Sequence, residues 1–320
     1  MIPTTTIPFS LLWKRNASRH FPIAFLQEKE WRYPFRKIVG VKKLIAAYLL
    51  IHGSLCSVAQ VKEGFIPVAN GKLYYQLQGT GAPIIFLHGL CLDHRMWEQQ
   101  VRYFSRSFTC ITIDLRGFGQ SSVPVGAYSF HEDIHTILDS LHINTPVTLV
   151  ALSMGGKAAI NFALAYPSRT NALVLADAAV DGFVFKEFNL RLIADVAKTK
   201  GIDSANLFFF HNPVFDVARK MNSISDSVWQ MVLSYSGWQW LNKNPVTTLS
   251  PEAIHQLGRI HVPVLIITGE KDIPDFQEIA ELLHKEIKQS IKKQIKGAGH
   301  LCNMERPAEF NRMVMRFLKS

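Results

Sequence analysis

The chain has 320 residues, 48% of them hydrophobic, with 35 Lys and Arg against 25 Asp and Glu for a formal charge of +10. That length and apolar content suffice for one large core and exclude a disordered or fibrous chain. The charge does not point to nucleic acid: residues 1–59 hold nine basic and two acidic residues, the remainder is close to balance at 26 against 23, and no basic stripe with interleaved aromatics appears.

Residues 1–40 mix aromatics with Arg and Lys and show no clean period. Lys42-Lys43, an apolar run at 44–51 and the small-x-small ending Ser57-Val58-Ala59 then read as a bacterial signal peptide over 41–59. The run is too short for a membrane span, so the mature form is expected to have none. Translation starting at Val39 or Val41 would place this leader at the N-terminus. The expectation is an exported, periplasmic protein beginning at Gln60; a cytoplasmic product or a retained N-terminal membrane anchor is the alternative.

From residue 60 the chain reads as one domain. A hairpin is predicted from 64–69 and 72–78 around Asn70-Gly71, a type I′ turn signal. A strand at 83–87 follows and opens into His88-Gly89-Leu90. Next come a helix at 95–104 and a strand at 108–115. The loop Asp114-x-Arg116-Gly117-x-Gly119 reads as structural, its glycines permitting tight turns. A helix at 131–141 leads to a strand at 146–151, a helix at 155–166 and a strand at 172–178. Such alternation predicts a parallel sheet with crossover helices.

Ser153 sits between the strand at 146–151 and the helix after it, in Ala151-Leu152-Ser153-Met154-Gly155-Gly156. A serine at a sharp strand-to-helix turn, with small residues two before and two after, is the pattern of a nucleophile elbow, here with Ala151 where the first glycine usually stands. A serine hydroxyl needs a base, and the base an orienting acid. In the chain order Ser, Asp, His these are Asp272, after an apolar run at 262–268, and His300, after a strand-like segment at 295–299. Asp177 competes with Asp272 for the acid role, and Asp275 reads as the start of the next helix, where its charge suits the dipole. Two backbone N–H groups, of Leu90 and Met154, would hold the oxyanion.

Between these parts, residues 181–258 show helical stretches at 189–198 and 226–234, no clear strand and many aromatics, as expected of a lid. Helices at 276–287 and 305–318 end the chain. Of the four cysteines, Cys56, Cys91, Cys110 and Cys302, none stands in C-x-x-C spacing, and packing is the expected role, with Cys91 and Cys302 close in sequence to the site.

His88-Gly89, the 114–121 loop, Ser153-Met154-Gly155-Gly156, Gly269-Glu270-Lys271-Asp272 and Gly299-His300 occur in the order found in the α/β-hydrolase family, and over 61–320 the chain resembles that family. Within it, 87–156 is most similar to small bacterial esterases and 3-oxoadipate enol-lactonases. The resemblance implies an α/β fold with a mostly parallel eight-stranded sheet, helices on both faces and a helical lid insertion. The expected activity is a serine hydrolase cleaving a carboxylic ester or lactone through a Ser153-His300-Asp272 triad, with no metal or cofactor. The alternatives are a carbon–carbon bond hydrolase, disfavoured by Leu152 where some members carry Asn, a cofactor-free perhydrolase, and a non-catalytic ligand binder. An aromatic lid predicts a small apolar substrate; an anionic one would call for a cation facing Ser153, with Arg191 and Arg219 as candidates.

Overall fold

The computed structural model describes residues 61–320. The expected signal peptide at 41–59, the cleavage point before Gln60 and Cys56 lie outside the described residues. No helix among those described is long and apolar enough to cross a membrane.

Eight strands form one sheet: β1 (Lys62–Val68), β2 (Gly71–Gln78), β3 (Pro83–Leu87), β4 (Thr109–Ile113), β5 (Val147–Leu152), β6 (Thr170–Ala176), β7 (Val264–Gly269) and β8 (Ser290–Ile295). They lie in the order β1-β2-β4-β3-β5-β6-β7-β8. β1 pairs antiparallel with β2, and β2 with β4; the other pairs are parallel. Crossovers carry α1 (Glu98–Phe104), α2 (Phe130–Ser140) and α3 (Met154–Ala165). β5 and β7 are buried at every position, as a strand covered on both faces must be, which is why they read as unbroken apolar runs.

Two elements differ from expectation. The hairpin loop is Ala69-Asn70, because Val68 already pairs with Gly71. Asn70 takes the positive φ, at 60°, while Gly71 opens β2. A Cβ at Gly71 would stand 2.7 Å from that of Ser122, so the glycine serves close approach of a loop and not a type I′ turn. The last strand is Ser290–Ile295, upstream of the segment that looked strand-like. It is an edge strand in which Lys293 is exposed and Lys292 half-buried, and edge position removes the need for an apolar pattern.

Between β6 and β7 the chain inserts α4 (Arg191–Lys200), α5 (Ile202–Phe210), α6 (Asp216–Arg219), α7 (Ser225–Ser234) and α8 (Trp238–Leu241). Phe209 and Trp240 meet at 5.5 Å within it, and Tyr235 stacks at 5.1 Å on Phe118 of the 114–121 loop. The chain ends with α9 (Pro274–Glu286), α10 (Cys302–Glu305) and α11 (Pro307–Leu318). Asp275, in the first turn of α9, accepts the N–H groups of Lys186, Glu187 and Phe188 at 2.8–3.0 Å and so ties the start of the insertion to the body.

Candidate active site

Ser153 separates β5 from α3 with φ 54° and ψ −116°, a conformation non-glycine residues rarely adopt. The turn is over-determined by hydrogen bonds: Ser153 N–H donates to Ala176 O, and Ser153 O accepts from Gly156 and Ala179 N–H. A Cβ at Gly155 would land on the Leu87 carbonyl oxygen, and one at Gly156 on Ala178. The tight constraint therefore falls after the serine, and Ala151, buried in β5, fits where a glycine is usual.

Past the ends of β7 and β8, Asp272 and His300 meet. His300 Nδ1 lies 2.7 Å from Asp272 Oδ2, and Asp272 Oδ1 accepts the Ile273 N–H at 2.8 Å. The Phe276 ring packs on the imidazole at 4.2 Å between centroids. Ser153 and His300 line one narrow cavity together with Gly89 and Leu90. The serine hydroxyl and the imidazole are not hydrogen-bonded to each other in this structure; such bonds commonly tighten only with substrate.

Asp177, at the end of β6, lies beside this pair: its carboxylate, that of Asp272 and a His300 ring nitrogen offer atoms within 4.8 Å of one another. Fully buried, it accepts the Gly269 N–H through Oδ1 at 2.9 Å, while Oδ2 forms no hydrogen bond of good geometry. Burial first, and then the charge of Asp272, push its carboxyl well above the usual carboxylate range. The carboxyl in contact with His300 is that of Asp272. Glu305, also buried, accepts the Gly299 N–H and has its pKa raised by burial.

Met154 opens α3, and no backbone carbonyl among the described residues takes its N–H or that of Leu90. The first is one of the free donors every helix start carries. His88 fixes the Leu90 loop: buried, it accepts the Leu115 N–H on Nε2 and donates through Nδ1 to Gly89 O. Burial lowers its pKa and keeps it neutral. The 114–121 loop is structural as expected. Asp114 accepts from His94 and Gln120, and Arg116 forms a bidentate pair with Asp133. Asp93, His94 and Asp114 cluster closely enough to ligate a metal, but Arg95 already neutralises Asp93 at 2.6 Å.

A cavity of about 290 Å³ opens beside Ser153, Leu90 and Met154, walled by Phe183, Phe185 and Phe188. Arg191 and Arg219 do not line it. Arg219 is spent on the Phe210 and Asn212 carbonyls and on Asp216, holding the α5–α6 turn. Cys91 and Cys302 are buried outside the cavity. The cation that does line it is Lys157, paired with Asp181 at 2.8 Å. Sequence reading passed over it, although it stands four residues after Ser153 on one helix face.

A family model described as alpha/beta hydrolase fold matches residues 82–307. The chain belongs to the α/β-hydrolase family. It is 30% identical, over 78% of its length and 96% of the other's, to a putative non-heme chloroperoxidase of Synechocystis. It is 28% identical, over 76% and 90%, to 3-oxoadipate enol-lactonase 2 of Acinetobacter baylyi. Among solved structures it matches a thermophilic esterase from Thermogutta terrifontis with TM-score 0.70 and 26% identity, covering 82% of this chain and 98% of the esterase.

Proposed function

We propose that this hydrolase cleaves a carboxylic ester or lactone through an acyl-enzyme on Ser153. The observation that carries the reading is the 2.7 Å contact between His300 and Asp272 beside a serine in a strained elbow. Ser153 Oγ attacks the carbonyl carbon while His300 Nε2 takes its proton. Asp272 holds Nδ1–H, fixing the tautomer and stabilising the imidazolium. The N–H groups of Leu90 and Met154 take the negative charge on the carbonyl oxygen. His300 then protonates the leaving alcohol, activates water, and the acid departs. The insertion acts as the lid, and its phenylalanines favour an apolar substrate. The relatives named as an enol-lactonase and an esterase support this chemistry.

The relative named as a chloroperoxidase supports a second reading, in which hydrogen peroxide replaces water and the acyl group leaves as a peracid. Both readings share the acyl-enzyme. Turnover of p-nitrophenyl butyrate tests them together: Ser153→Ala should lower kcat by roughly 10⁴- to 10⁶-fold with folding intact. Wild-type turnover in that variant would overturn the assignment. Peracid formation in added peroxide separates the two readings.

A further inference from the structure

His300 lies in the turn between β8 and α10, and a base misplaced by about 1 Å can lose on the order of 10²-fold in rate. Upstream, Ala298 O accepts the Lys271 N–H at 2.7 Å, which ties this turn to the loop of Asp272. The residue just before the base has to be small, because a Cβ at Gly299 would stand 2.9 Å from Val217 Cγ2. Glycine leaves the backbone there loose unless something holds it.

Glu305, the last residue of α10, holds it. Its carboxylate reaches back to accept the Gly299 N–H through Oε2, and its own N–H donates to Leu301 O at 2.9 Å. His300 is therefore flanked on both sides by residues bonded to Glu305. Packing gives no reason for an acid at this place. Glu305 is 2% exposed, and its Oε1 has no hydrogen bond of good geometry among the described residues. The neighbouring Arg306 turns its guanidinium to the Glu305 and Gly297 backbone carbonyls and not to the carboxylate. Burial raises the Glu305 pKa, opposed first by the Gly299 N–H and then by the charge of His300. A buried acid with one oxygen unpaired costs stability that a packed apolar side chain would not.

From this we infer that Glu305 is a positioning residue for the base: by accepting the Gly299 N–H, its carboxylate fixes the backbone beside His300, so that Nε2 is presented to Ser153 while Nδ1 stays on Asp272. It touches neither substrate nor the reacting atoms. Glu305 acts only through His300, so its part in turnover rests on the ester-hydrolase reading.

Three variants test this on p-nitrophenyl butyrate. Glu305→Leu, which removes the acceptor, should lower kcat about 10- to 100-fold with KM within about twofold. Glu305→Asp, which draws the acid back by one methylene, should lower kcat in the same way and serves if leucine unfolds the chain. Glu305→Gln keeps an oxygen for the Gly299 N–H and should stay within about threefold of the wild-type kcat. Circular dichroism melting checks that each variant folds. Reaction with a p-nitrophenyl alkylphosphonate separates position from folding: its end point counts the serines able to react, and its rate reads how well His300 activates each. Glu305→Leu should reach the wild-type end point at a rate lowered as kcat is. With 15N-labelled histidine, the His300 ring signals, assigned by their loss in His300→Ala, should shift in Glu305→Leu and return in Glu305→Gln. A kcat within threefold of the wild type in both Glu305→Leu and Glu305→Asp, a loss that Glu305→Gln does not restore, a loss confined to KM, or a lowered end point with an unchanged rate overturns the role. A wild type that cleaves no ester and does not react with the phosphonate, with its His300 ring signals still dependent on Glu305 in this way, overturns the hydrolase reading and leaves the anchor standing.

Discussion

Around His300 two carboxyls play unequal parts, and environment alone makes them unequal. Asp272 accepts from Ile273 N–H and meets the imidazole; Asp177 is fully buried beside a like charge, and its carboxyl is pushed well up. Asp272→Asn should lower kcat roughly 10³- to 10⁴-fold by presenting the wrong tautomer to His300. Asp177→Asn, which keeps the side chain's shape and leaves the contact between Asp272 and His300 in place, should cost far less; the reverse ranking would move the acid role to Asp177. A linked effect on stability follows. The folded pKa of Asp177 is raised, so the native state holds a proton that the unfolded state releases above about pH 4. Stability from this proton is fully present below the unfolded value and is lost as pH rises toward the folded one. Over that window the Asn variant should gain on the wild type by up to about 1.4 kcal/mol per pH unit. Urea unfolding of both proteins at pH 5 and pH 8 measures it, and an unchanged difference would mean that Asp177 ionises normally. The sequence made Ser153, Asp272 and His300 legible because each stands in a short motif at a strand end. It could not rank Asp177 against Asp272, since the ranking depends on which carboxyl meets His300 once residues 95 positions apart are brought together.

At the level of elements, legibility followed burial. Central strands β3, β5 and β7 announce themselves as apolar runs because both faces are covered. Edge strand β8, with Lys292 and Lys293 in it, carries no such pattern and was placed too late in the chain. The insertion was legible as a break in alternation, but not in how it is anchored. Asp275 supplies that anchor, and its charge does more than cap α9: burial raises its pKa, yet the N–H donors of Phe188, Glu187 and Lys186 outweigh burial and hold it below the usual range. Because Phe185 and Phe188 line the cavity, Asp275→Ala should loosen its wall and raise KM. Hydrogen bonds to a charged acceptor contribute about 1.5–3 kcal/mol, so the melting temperature should fall by several degrees. A depressed carboxyl pKa stabilises above its unfolded value and loses that effect as pH falls through the folded value. The melting deficit of the variant should therefore persist from pH 5 to pH 8 and close below about pH 4. A deficit equally large at pH 3 would show that the lost contacts are not those of the charged carboxylate.

For the whole molecule, the sheet gathers residues far apart in sequence at one edge. Leu90, Ser153, Asp177, Asp272 and His300 follow β3, β5, β6, β7 and β8 in turn, which is where open parallel sheets present their ligands. That assembly is complete within residues 61–320: β1 begins at Lys62, and the family match runs from 82 to 307. The Synechocystis relative is spanned over 96% of its own length by 78% of this chain. Residues 61–320 expressed alone should accordingly melt in one cooperative transition and keep kcat/KM within about twofold of the full chain on any ester the full chain hydrolyses, since tolerance to truncation is set by the burial and pairing of the backbone removed. The excess positive charge, nine basic residues against two acidic before residue 60, would leave with the deleted segment. Export is read on the same boundary: produced in a bacterial host with its own upstream region, the protein recovered from the periplasm should begin at Gln60. A full-length product with Met1 intact would reject the signal peptide while leaving the hydrolase untouched. An insoluble 61–320 fragment, or one more than tenfold less active, would show that the first sixty residues belong to the fold.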